Sequence, residues 1–420
     1  MSEQSFPARA ERSANVVRAS TASFSSLGVS KPVVGALAAR GFESPFAVQR
    51  LVIADVLAGR DVLAQSPTGS GKTLAFGVPM VDLISAEARR PAGLILAPTR
   101  ELAGQIVDEL QSVANARALS VAVVHGGVGL QRQAKLAARA HIVVATPGRL
   151  EDLLQRGDLT LKHVQLLVLD EADRMLDMGF KPPVDRIVAK IPKDHQTLFF
   201  SATLEGEVGK VARQFTRNPV RHVHEATLER KAVVDHRFVH LAHDAKLGAL
   251  VAELRDSSRG RTLVFVRTKR GADRLVKRLG AEALPAVAMH GNKSQSQRQK
   301  ALARFESGDV TTLVATDVAA RGIDVANITH VINFDAPEDR DSYVHRVGRT
   351  ARAGAKGAGV SFVLPEQSHD MRRIASDLGL THQFEEGGPS HSGQRTNGTA
   401  SPSGGRRSRG RSHGRGRRPR

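Results

Sequence analysis

Short apolar, β-branched runs punctuate the chain: DVLAQ (61–65), LILAPT (94–99), VAVVHG (121–126), HIVVAT (141–146), LLVLD (166–170) and LFFSAT (198–203). Longer stretches of helical period separate them, RELAGQIVDELQSVA being one. Apolar strands alternating with helices predict parallel sheets covered by helices on both faces. The series then restarts with TLVFVRT (262–268), AVAMHG (286–291), TLVATD (312–317), THVINFD (329–335) and VSFVLP (360–365). The expected class is α/β, with two parallel-sheet domains in tandem.

The two series align with each other. Thr99 matches Thr268, His125-Gly126 matches His290-Gly291, and Thr146 matches Thr316, at nearly constant separation. That regularity is what an internal repeat produces. The expected organisation is an N-terminal extension (1–22), a first domain (23–217), a linker where periodicity lapses (218–232), a second domain (233–383) and a low-complexity Arg/Gly-rich tail (384–420) expected to be disordered.

Charge sharpens the picture. Lys and Arg number 61 against 42 acids, a formal net charge of +19, which predicts polyanion binding through phosphate contacts. The last twenty residues hold eight arginines and no acid, yet the rest of the chain is still basic. With no Trp and one Tyr, the chain is better equipped to grip a backbone than to read bases by stacking. The absence of cysteine excludes disulfides and thiolate metal sites and suits a reducing compartment, and no apolar run approaches a membrane span. A cytoplasmic protein without membrane association is expected.

One stretch carries phosphate chemistry. SPTGSGKT (66–73) lies between a strand and a helix, the context a phosphate loop requires. Backbone amides of Thr68, Gly69, Ser70 and Gly71 would surround the phosphates, Lys72 would reach the β/γ oxygens, and the Thr73 hydroxyl would ligate Mg²⁺. The second series has no such loop, so one nucleotide is expected. LLVLDEAD delivers Asp170 at a strand tip to hold Mg²⁺, directly or through water, with Glu171 beside it as the base for the attacking water. In YVHRVGRTARAG, Arg346, Arg349 and Arg352 recur every third residue, as if on one face of a helix start, and look like arginine fingers supplied across a cleft. His236, His240 and His243 invite a metal reading, but their stretch alternates like a strand.

Together these residues resemble the DEAD-box ATP-dependent RNA helicase family, named for Asp-Glu-Ala-Asp, here 170–173. The resemblance runs from about Phe24 to about Pro365 and implies two RecA-like domains with a nucleotide cleft between them. It further implies that Gln49, in GFESPFAVQ, selects adenine through its amide while Phe24 covers the ring. Pro98, Thr99 and Arg100, Gly126 and Gly127, and Thr146, Pro147, Gly148 and Arg149 would contact the RNA backbone from the first domain. Thr268, Gln295, Arg298 and Thr316 would do so from the second. Ser201 and Thr203 would couple hydrolysis to strand separation, Asp324 would face the ribose, and His345 would bridge the cleft. LDMGF and HGNKSQ are similar to the bacterial RhlE-like branch. The implied cofactors are ATP and Mg²⁺. The implied partner is RNA, as single strands and short duplexes, with ribosome-assembly and RNA-decay proteins as candidate protein partners. Two rival readings remain open at this point: a nucleic-acid chaperone that makes no productive use of ATP, and a DNA translocase on the same plan.

Overall fold

The computed structural model describes residues 22–66, 69–224, 234–256, 259–320, 325, 327–351 and 356–387. Seven strands build the first sheet: β1 (Val62–Gln65), β2 (Gly93–Leu96), β3 (Val121–Val124), β4 (Ile142–Ala145), β5 (Leu166–Leu169), β6 (Gln196–Ser201) and β7 (Val220–Val223). Their order is β3-β4-β2-β5-β6-β1-β7. Six more form the second: β8 (Val234–His240), β9 (Arg261–Phe265), β10 (Ala286–Met289), β11 (Thr312–Ala315), β12 (Ile328–Asn333) and β13 (Gly357–Val363), in the order β10-β11-β9-β12-β13-β8. Every pairing is parallel. The second order repeats the first strand for strand, lacking only a counterpart of β7.

The aligned residue pairs therefore occupy equivalent places. Thr99 and Thr268 follow β2 and β9 and cap the next helices, accepting from the Leu102 and Gly271 amides at 3.2 and 2.9 Å. His125 and His290 follow β3 and β10, and Thr146 and Thr316 follow β4 and β11.

Strand alternation sorts side chains onto two faces. In the first sheet Ile95, Val144, Val168, Leu198 and Phe200 pack with Phe76, Ile106 and Leu110 of the helices Lys72–Leu83 and Arg100–Asn115. Leu94, Leu96, Val143, Leu167 and Phe199 face the opposite helices. The second sheet divides likewise, Val264, Val314 and Ile332 to one side and Leu263, Leu313 and Val331 to the other. No buried apolar cluster among the described residues spans the two lobes.

Two boundaries differ from the sequence reading. The expected linker begins inside the first lobe: β7 pairs with β1 as an edge strand. Its sequence Val-Arg-His-Val is short and charged, so it leaves no apolar run to read. At the other end the helix Thr381–Glu386 runs across the start of the expected tail at 384, and Phe384 is buried against Phe238 in a core cluster of the second lobe.

The phosphate helix and the Arg100–Asn115 helix touch at Gly77. A methyl built there would sit 2.1 Å from Leu110 Cδ2, in a fully buried layer. Gly77→Ala is expected to lower stability by about 1–2 kcal/mol through overpacking. Adding Leu110→Ala should make the double variant lose less than the sum of the single losses in denaturant titrations. Strict additivity would show that Leu110 does not fill that space.

Candidate functional site

All-parallel sheets open their strand carboxyl ends to one edge, and the motifs of both halves lie there. After β1 the chain turns through Gly69 and Gly71, at φ +81° and +86°, into the helix Lys72–Leu83. Only glycine adopts such angles without strain. Lys72 is buried and donates to the Ser66 carbonyl at 3.1 Å, while the Ser66 and Ser70 hydroxyls meet at 2.6 Å. Thr73 bonds the Glu109 carboxyl, tying the loop to the Arg100–Asn115 helix; burial raises that carboxyl above the usual range. Thr68 lies outside the described residues.

The second half shows what a disused copy of this corner looks like. Lys246 opens the helix after β8 as Lys72 does after β1. No glycine loop precedes it, and its ammonium is buried, donating to Asp335 at 2.6 Å. Asp335 follows β12, the counterpart of β5.

β5 ends in Asp170 and Glu171, 2 % and 4 % exposed. Burial, reinforced by the neighbouring Glu171, pushes the Asp170 carboxyl up to about 7, although Lys72 opposes this. Burial acts on Glu171 too, but Arg174, Lys72 and Arg349 more than offset it and hold that carboxyl below the usual glutamate range. Arg174 donates to Glu171 Oε2 at 2.7 Å. Glu171 itself stands at φ +51°, ψ +50°, a left-handed conformation uncommon for a non-glycine residue. Asp173 accepts from the Ala202 amide at 3.1 Å, Gln65 donates to the Ala202 carbonyl at 3.2 Å, and Ser201 accepts from the Thr203 amide at 3.3 Å. The Ser201–Thr203 turn is thus fastened to the acidic turn after β5 and to β1.

The arginine series is reorganised. The helix Arg340–Val347 ends at Gly348, so Arg346 lies on the helix and Arg349 beyond it. Arg346 turns inward, bidentate to Asp317 at 2.6 and 2.7 Å and bonded to the Asp335 carbonyl at 2.7 Å. It braces its own lobe and is no finger. Arg349 is buried, donates to the His345 carbonyl at 3.3 Å, and is close enough to Glu171 to lower its pKa. His345 lies near Arg174 and Asp173; burial, with Arg174 and Arg349, favours its neutral form. Arg352 and Asp324 lie outside the described residues.

Both residues expected at the nucleotide base are buried. Phe24 is 2 % exposed and packs in the core beneath the first sheet. Gln49 is buried; its Oε1 accepts from the Phe46 amide at 2.9 Å and its Nε2 donates to the Gly71 carbonyl at 3.0 Å.

The residues expected on RNA split into two groups. Pro98 and Thr99 lead into the Arg100–Asn115 helix, and Arg100 lies over Gly126 and Gly127: a methyl on Gly127 would come 2.4 Å from its Nη1. Thr146 and Pro147 begin the helix Pro147–Gln155, with Gly148 exposed and Arg149 donating to the Val128 carbonyl at 3.1 Å. Thr268 is exposed at the mouth of the second lobe, while Thr316 is largely buried beyond β11. Gln295 and Arg298 are buried against the first lobe, donating to Glu101 at 3.3 and 2.7 Å. Burial and the nearby Arg298 lower the pKa of Arg100, an environment that favours an added anion. Sequence reasoning passed over Glu101, Asp173 and Arg174. Their signal was only that each is a charge inside or next to a motif already singled out. The histidine trio serves structure in part: His236 meets the Tyr343 hydroxyl at 2.7 Å and His240 the Phe384 carbonyl at 3.2 Å.

Family models agree with this geometry. A DEAD/DEAH box helicase model matches residues 46–211 and a helicase conserved C-terminal domain model matches 245–354. The DEAD-box ATP-dependent RNA helicase CshA of Bacillus licheniformis is 40% identical over 356 residues, 84% of this chain and 73% of that protein. The chain is a member of the DEAD-box RNA helicase family. The CshA of Geobacillus kaustophilus is 38% identical, covering 84% of this helicase and 75% of its own length. Among solved structures, Saccharomyces cerevisiae Dbp5 bound to RNA and ADP BeF3 superposes with a TM-score of 0.79 at 29% identity, over 87% of this helicase and 97% of that chain. Mss116p bound to single-stranded RNA and AMP-PNP gives 0.77 at 28% identity, over 85% and 78%.

The Glu101–Arg298 pair joins the lobes of the helicase within the group of residues expected to hold RNA. A double-variant cycle, Glu101→Ala with Arg298→Ala, should show a coupling of about 1 kcal/mol or more in RNA affinity. Additivity within about 0.3 kcal/mol would sink the idea that the pair acts as a unit.

Proposed function

We propose that the helicase hydrolyses ATP in the interlobe cleft when RNA lies across both lobes, and that closure bends one strand and pries a short duplex apart locally. One observation carries the catalytic assignment: two adjacent carboxylates buried at the tip of β5 have different partners, Glu171 accepting from the Arg174 guanidinium at 2.7 Å and Asp170 from the Glu171 amide at 3.0 Å. Unequal surroundings of this kind suit separate roles. Glu171, held anionic by arginines from both lobes, is suited to orient the attacking water and take its proton. Asp170 is a buried carboxylate short of positive charge, which fits it, with Thr73, to hold Mg²⁺. When bound, that ion would neutralise phosphate charge. Lys72 and Arg349 are the cationic side chains available to the transferring phosphoryl group, one from each lobe.

The RNA-facing residues are hydroxyl, glycine and arginine groups suited to phosphate and ribose, which carry no sequence information. Binding without sequence preference follows. A cytoplasmic setting fits the absence, among the described residues, of any helix long and apolar enough to cross a membrane.

Steady-state ATP hydrolysis should rise strongly with single-stranded RNA and little with DNA of the same sequence. Equal stimulation by DNA would favour a translocase, and no turnover with either would favour a chaperone. Glu171→Gln should bind ATP and RNA yet turn over at least ~100-fold more slowly; near-normal turnover would remove Glu171 from the base role.

The Arg/Gly-rich tail is read as a nonspecific RNA tether on its charge alone. Because Phe384 belongs to the second core, truncation should begin after Gly387. Removing 388–420 is expected to weaken RNA affinity and flatten its dependence on salt while sparing basal ATPase. An unchanged salt slope would rule out the tether.

A further inference from the structure

We propose that the free edge of β3 is a docking groove for an extended protein segment, one whose apolar residues are bracketed by acids and which adds to the sheet as a further strand. β3 ends the first sheet and pairs on one side only, with β4. The Ser120 and Val124 carbonyls accept from the His141 and Thr146 amides that flank β4. Backbone groups alternate in direction along a strand, so those of Val121 and Val123 point away from the sheet. Edges are usually blunted by charge. The opposite edge, β7, reads Val-Arg-His-Val, whereas β3 reads Val-Ala-Val-Val.

A groove of about 590 Å³ lies along that edge. One wall is aliphatic, made by Val107 of the helix Arg100–Asn115 with Val121 and Val123 of the strand. The other is the helix Leu130–Arg139, which contributes Arg132, Leu136 and Arg139, a single stripe at i, i+4 and i+7. Leu136 is 54 % exposed, and Val128, which also lines the groove, 41 %. No acid lines it, and neither arginine side chain has an acidic partner among the described residues. An added strand sends alternate side chains to opposite faces. Its first, third and fifth residues would meet the arginine-leucine stripe, and its second and fourth the Val107 wall. The fitting order is therefore acid, three β-branched apolar residues, acid, with main-chain bonds to Val121 and Val123 adding affinity.

Other occupants fit less well. The chain's own tail has the wrong charge, eight arginines and no acid in the last twenty residues. A second copy paired edge to edge about a two-fold axis would set Arg132 and Arg139 against their own counterparts. A nucleic-acid strand would find two guanidinium groups but only aliphatic walls, with no phenylalanine, tyrosine or tryptophan on which to stack a base.

The probe is a labelled peptide, Gly-Glu-Val-Val-Val-Glu-Gly, titrated against the full chain in fluorescence anisotropy. It is expected to bind saturably, at least about tenfold more tightly than a version with Lys for Glu or one with Pro for two adjacent Val. Leu136→Asp should weaken binding at least about tenfold while melting as the unaltered chain does. Arg132→Glu with Arg139→Glu should turn the preference to the Lys version. Absence of saturable binding, or equal binding by Leu136→Asp or by the Lys version, would overturn the proposal. So would an RNA affinity that falls in Leu136→Asp, which would assign the groove to the RNA path, or a self-association that the variant abolishes, which would assign it to a second copy.

Discussion

Two carboxylates side by side at the buried tip of one strand set the terms for everything around them. Neither Asp170 nor Glu171 has water to spread its charge, so the fold must supply cations or leave a proton in place. It does both. Arg174 comes from the helix that follows, Lys72 from the phosphate helix, and Arg349 from the other lobe. Glu171 is thereby held below the usual glutamate range, on a left-handed backbone, while burial raises Asp170 above the usual aspartate range. The parallel sheets, the glycine turn and the tandem arrangement all serve to bring those charges to one point.

The same electrostatics governs how the lobes meet. Each half buries its own apolar residues, and the contacts identified across the cleft are polar: Glu101 with Gln295 and Arg298, and the field between Arg349 and Glu171. A junction of this kind has little hydrophobic area to hold it shut, so its closed form depends on charge balance. On the function proposed above, a polyanionic strand beside Arg100 and a nucleotide beside Lys72 would both shift that balance, giving two ligands a shared equilibrium to act on.

Local chemistry was legible in the sequence, and tertiary orientation was not. Strand and helix periods, the Gly69–Thr73 turn and the acids closing β5 are near-neighbour patterns, and the internal repeat even foretold the common strand order of both sheets. Arg346 looked identical to Arg349 because a three-residue period says nothing of where Asp317 will lie. Glu101 and Arg298 are 197 residues apart, a distance no local pattern spans. The burial of Phe24 is set by how the first helices dock on the phosphate helix, which their spacing does not encode. β7 was hidden because an edge strand can be half charged.

Lys246 and Asp335 carry a last implication. They stand where the first lobe keeps Lys72 and its strand-end acid, yet they neutralise each other directly, with no room or glycine turn for a phosphate between them. The corner that opens onto a glycine turn in the first lobe is thus closed in the second by a salt link between the end of β12 and the start of the helix Lys246–Arg255.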